Sequence, residues 1–122
     1  TNMSSAAHPI IFMLAGGERE VLVLSAILAV VVAPLVEEVM FRGALYAWLR
    51  ARGSAFFAVT ASALAFAFLH PQGPIGVPVL FIVGCFLAIL REWRGSLVAP
   101  VLFHACFNGV TLLAVTLVLK SS

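Results

Sequence analysis

Charge is scarce in this chain: of 122 residues, 10% are Asp, Glu, Lys or Arg, while 63% are hydrophobic. A soluble domain carries about a quarter charged residues, so folding in water is excluded as an account of this composition. The mean hydropathy of +1.16 places the chain among integral membrane proteins. A net charge of +2, scattered at the ends of apolar runs, argues against a nucleic-acid partner. Cysteine is nearly missing as well. Cys85 and Cys106 lie inside apolar runs without C-x-x-C spacing, so they read as small core residues and say little about redox compartment. The H-E-x-x-H signature of helical zinc proteases is absent. So are internal repeats, low-complexity segments and any composition shift that would mark a domain boundary.

What is present is apolar sequence punctuated by short polar links. A helical span needs about 20 residues, so the length predicts an all-α membrane bundle of about four transmembrane helices. Residues 1–17 read as a polar lead-in, TNMSSAA, and a short interfacial segment, PIIFMLA, closed by Gly16 and Gly17; His8 before Pro9 is assigned no function. Residues 18–120 form the membrane-embedded domain. Its first span runs from Glu18 to the basic stop at Arg50 and Arg52, with Pro34 inside it predicting a kinked or tilted helix. The second, SAFFAVTASALAFAFLH, is short and stops at Pro71, and PQGPIG reads as a turn. A third, VPVLFIVGCFLAIL, reaches REWRG, where Trp93 suits an interface anchor. The fourth, SLVAPVLFHACFNGVTLLAVTLVL, ends at Lys120. Links this short make consecutive helices antiparallel neighbours. The loops with Arg50 and Arg52 and with Arg91 and Arg94 should be cytoplasmic, and HPQGPIG should lie on the opposite face.

A charge at the centre of a membrane helix costs about 2.5 to 3.5 kcal/mol, so ionisable residues inside the spans mark a site facing the bundle. They are Glu37, Glu38, Arg42, His104 and, at a helix end, His70. Glu38 and Arg42 stand at i and i+4, acid before base, the spacing of an ion pair that reduces the cost of both. Glu37 lies about 100° further round the helix and is left for chemistry. His104 and Asn108 share a face at i and i+4, as do Phe66 and His70. Counted from the basic ends at about 1.5 Å per residue, Glu37, His70 and His104 reach similar depths, so three helices can converge on one polar site. A buried Glu is a workable general base for water. Histidine and asparagine can stabilise an oxyanion, and one Glu with two His also matches a zinc ligand set. Taken singly, Phe66 reads as packing, His70 as interfacial, and Asn108 equally as an interhelical hydrogen-bonding residue.

The motifs EEVMFR at 37–42, FAFLH at 66–70 and HACFN at 104–108 resemble those of the CPBP intramembrane proteases. That family includes CAAX endoproteases and bacterial proteins of bacteriocin processing or self-immunity, and its pattern is E-E-x-x-x-R, F-x-x-x-H and H-x-x-x-N/D on separate membrane helices. The resemblance covers about residues 30–110 and implies an intramembrane endopeptidase in a prokaryotic plasma membrane, cutting a membrane-associated or prenylated-type peptide or protein. It implies that Glu37 activates water, that His70 works beside that water, and that His104 with Asn108 forms the oxyanion site. Glu38, Arg42 and Phe66 are supporting. No cofactor is expected, the alternative being Zn2+ on Glu37, His70 and His104. Family members usually carry more spans, so the chain is expected to be the catalytic core of a larger protein. No prenyl pocket is identifiable in the sequence. A different class of function uses the same buried polar cluster without catalysis, in membrane binding, transport or bacteriocin immunity.

Overall fold

In a computed structural model, residues 19–122 are described; the lead-in and interfacial segment expected at 1–17 lie outside them. Among the described residues there is no strand, and the chain forms four helices: α1 Arg19–Arg50, α2 Ala55–Leu69, α3 Gly73–Arg94 and α4 Val98–Ser121. Three of them, α1, α3 and α4, are long and apolar enough to cross a membrane, while α2 is a shorter apolar helix. The second apolar run, expected to be the short one, is α2. Its 15 residues rise about 22 Å, less than the hydrocarbon thickness of about 30 Å.

Both ends of α2 have local causes. Ser54 caps the first turn, its hydroxyl accepting from the Phe57 N–H at 3.1 Å. Pro71 disfavours helical backbone at the preceding residue, and His70 is extended at φ −85°, ψ 140°. The Gly95 φ of +66° ends α3 in a left-handed cap, with its N–H donating to the Arg91 carbonyl at 3.0 Å.

Pro34 does not end α1. Residues beside it keep right-handed helical dihedrals, with Val32 at φ −72°, ψ −50° and Ala33 at φ −60°, ψ −49°. The irregularity is instead taken up by two π-helical stretches, Leu28–Val32 and Val39–Leu45, on either side of the turn that carries the two glutamates. Wide turns of this kind absorb an unmatched backbone group without breaking the helix, and they recur at functional sites.

Packing is closest between α2 and α3, where small side chains allow the backbones to approach. Ala58, Ser62, Ala63 and Ala67 are buried on α2, facing Gly84 and Ala88 of α3. A Cβ at Gly84 would stand 3.1 Å from the Ala63 Cα. Two apolar clusters line up beneath this seam: Tyr46, Leu49, Ala58 and Ala88 toward the basic end, and Phe41, Phe66 and Leu87 below the glutamates. Most large aliphatic and aromatic residues face outward, Ile75 at 92% and Phe56 at 81% exposure among them, as hydrocarbon-solvated helices require. Cys106 is one of the outward residues and Cys85 is half-buried, which corrects the expectation that both sit in the core. At the basic end Arg52 lies over the Trp48 ring at 4.0 Å and Arg94 near Trp93 at 5.6 Å, an aromatic and cationic rim suited to an interface.

Candidate active site

Glu37 and Glu38 leave α1 in different directions and meet different surroundings. The Glu38 side chain has no exposure, while Glu37 retains 30% and borders a cavity. Glu38 Oε1 accepts from Arg42 Nη1 at 3.0 Å, so the ion pair expected from the i, i+4 spacing forms. The guanidinium then reaches past its own helix. Its Nη2 donates to the Gly84 carbonyl of α3 at 3.0 Å, and its carbon lies 4.6 Å from the Phe66 ring centre. Arg42 thereby joins α1, α2 and α3 through one buried cation, with a charged hydrogen bond to each polar partner.

The imidazoles arrive from the other two elements. His70 Nδ1 donates to the Phe66 carbonyl at 2.6 Å, so the F-x-x-x-H spacing is a side chain satisfying the last turn of its own helix. His104 is buried on α4, and its Nδ1 donates to Glu38 Oε1 at 2.7 Å. Since a carbonyl and a paired carboxylate only accept, each ring carries a proton on Nδ1 and a neutral ring turns a lone pair outward at Nε2. Both Nε2 atoms face the same atom, Glu37 Oε2, at 3.3 Å from His70 and 3.4 Å from His104. Three acceptors around one point attract hydrogen, either a proton or the two hydrogens of a water.

The expected convergence of Glu37, His70 and His104 is therefore present, and Phe66 is its wall. The Phe66 ring centre stands 4.2 Å from that of His70 and 5.7 Å from that of His104. Asn108 borders the same cavity, but its Nδ2 donates to the Ala29 carbonyl at 2.9 Å, away from the carboxylate and imidazoles. Two contacts were missed in the sequence: the Glu38 to His104 bond and the reach of Arg42 to Gly84. The small Gly84 in an apolar helix was the available signal for the second; no local spacing signals the first, because it joins residues 66 apart.

The cavity extends from Glu37 between α3 and α4 with a volume of about 680 Å³. Val79, Leu80 and Val83 line one side, Phe107, Thr111 and Leu112 the other. Among the described residues, no group of three or more His, Cys, Asp and Glu side chains is disposed to hold a metal ion.

Fold and site together define a membrane-embedded helical protein with a carboxylate and two imidazoles at the floor of an apolar cavity. The chain matches the family described as type II CAAX prenyl endopeptidase Rce1-like over residues 19–110, a range that contains all three motifs. The chain belongs to that family and is a hydrolase of the CAAX protease class. No curated protein and no solved structure matches it significantly.

Proposed function

We propose that the chain is an intramembrane endopeptidase that hydrolyses a peptide bond of a membrane-associated or prenylated-type substrate with a water held by Glu37. The observation that carries this reading is the approach of both imidazole Nε2 atoms to one carboxylate oxygen, Glu37 Oε2, at 3.3 and 3.4 Å, on the cavity floor. A water there donates its hydrogens to Glu37 and His70. Glu37 takes one proton as the water oxygen attacks the carbonyl carbon, which gives a tetrahedral oxyanion. His104, with its Nδ1–H held by Glu38, turns Nε2 toward that oxyanion and stabilises it by donating a proton held there during the reaction. One proton on the imidazoles also balances the excess negative charge of two carboxylates against Arg42. Collapse of the intermediate returns the Glu37 proton to the leaving nitrogen, so acid and amine products form with one water consumed.

The apolar walls receive the side chains next to the scissile bond, and a cavity of this size lies within the range of ligand sites, about 300 to 1,000 Å³. No step uses a metal. In a purified preparation Glu37→Gln should abolish cleavage of a model membrane peptide while insertion and folding persist; undiminished cleavage by that variant would remove the mechanism. Loss of activity with a metal chelator, restored by zinc, would replace the water held by Glu37 alone with a metal-held one.

A further inference from the structure

Ala29 lies in the π-helical stretch before Pro34, and its carbonyl has two possible donors within its own helix. The α-helical donor is the N–H of Ala33, four residues on, but that group bonds to the Leu28 carbonyl. The π-helical donor is residue 34, five residues on, and it is proline, which has no N–H. An unpaired carbonyl in a membrane interior is expensive. The bond to Ala29 is made instead from another helix, by Asn108 Nδ2 at 2.9 Å.

Asn108 stands one turn from His104 on the same face of α4. Helix α4 thus grips α1 at two heights: at Ala29 through Asn108, and at Glu37 and Glu38 through His104. Arg42 and His104 hold α1 after Pro34, and the Asn108 bond adds a point before it, so the helix is held on both sides of the proline. The residues whose phase is held this way are those that follow Pro34, and Glu37 is three positions after it.

We propose, on the peptidase reading above, that Asn108 is a positioning residue: it supplies the hydrogen bond that Pro34 cannot, and so sets Glu37 against His104. Its effect on the reaction passes through α1, without contact to the reacting atoms. The competing role, a direct contact with the oxyanion, differs in one respect that mutation can reach. A positioning bond becomes redundant when the helix regains its own N–H, and an oxyanion donor does not.

The experiment uses Asn108→Ala, Pro34→Ala and the double variant of the full chain in lipid, with a model membrane peptide as substrate. Asn108→Ala should lower kcat by about tenfold to a hundredfold at unchanged KM, the scale of a displacement of about 1 Å or less. In the double variant kcat should return to that of Pro34→Ala alone. If Pro34→Ala is active and the double variant stays as slow as Asn108→Ala, the proposal is overturned. The same four proteins form a thermodynamic cycle in denaturant unfolding, which needs no activity. Asn108→Ala should cost less stability when residue 34 is alanine than when it is proline. Additive costs overturn the proposal, including where Pro34→Ala is itself inactive. A wild-type chain that cleaves no membrane peptide would undo the peptidase reading and leave the cycle unaffected.

Discussion

Glu37 and Glu38 are the same side chain at adjacent positions, and their surroundings give them different work. Glu38 is enclosed by Arg42 and His104, at 3.0 and 2.7 Å, so its carboxylate holds the cluster together. Glu37 has only long contacts to imidazoles and a face on the cavity, so its removal should spare the fold. Glu37→Gln is expected to reduce turnover by about a hundredfold to ten-thousandfold, the usual worth of a positioned base, with an unchanged thermal midpoint. Glu38→Gln is expected to destabilise by about 3 to 5 kcal/mol, because it leaves a buried guanidinium without its anion. Unfolding of the two purified variants side by side checks both; equal stability would count against the division of roles. The surface pair Arg50 and Glu92, at 3.1 Å and with side chains 45% and 37% exposed, gives the contrast. Breaking it with Arg50→Gln should cost no more than about 1 kcal/mol.

At the scale of elements, the site depends on how closely α2 and α3 approach. Gly84 serves twice: its missing side chain admits Ala63 and Phe66, and its carbonyl accepts from Arg42. A Cβ there would meet the Ala63 Cα at 3.1 Å, and the Ala63 Cβ and Phe66 Cδ1 at 3.2 Å. Backbone cannot move aside as a flexible side chain does. Gly84→Ala should therefore cost about 1 to 3 kcal/mol, the range for overpacking a tight interface. It should also slow cleavage, because Phe66 is the wall against which both imidazoles rest. Unfolding and turnover of the one variant measure the two effects. The early end of α2 matters in the same way: Pro71 stops the helix where His70 can both cap Phe66 and face Glu37.

For the whole molecule, the distribution of arginine sets the orientation. The α1–α2 and α3–α4 links share one end of the bundle, with Arg50, Arg52, Arg91 and Arg94 around them, and the link from α2 to α3 lies at the other. By the positive-inside rule we propose that the arginine-rich end faces the cytoplasm. A single cysteine introduced by Ser96→Cys, with Cys85 and Cys106 replaced by serine, should react with a membrane-impermeant maleimide only from the cytoplasmic side. One at Gln72→Cys should react only from the other side. Labelling of both positions from one side would overturn this topology.

Membrane residence, helical class and the three motifs were legible in the sequence, because each depends on composition or on spacing within one helix. A run of apolar residues needs no partner to be recognised, and residues at i and i+4 share a face wherever the helix lies. The pairing of Glu38 with Arg42 was readable for that reason, and so was the alignment of Phe66 with His70. The tertiary structure decided what spacing leaves open. It bonded His104 to Glu38, carried Arg42 across to Gly84, and turned Asn108 toward Ala29 in place of the carboxylate cluster. It also kept α1 continuous through Pro34, by widening two turns and borrowing a donor from α4. These are contacts between residues 42 to 79 positions apart, and in hydrocarbon they are chosen by which buried polar groups remain unpaired once the helices have packed.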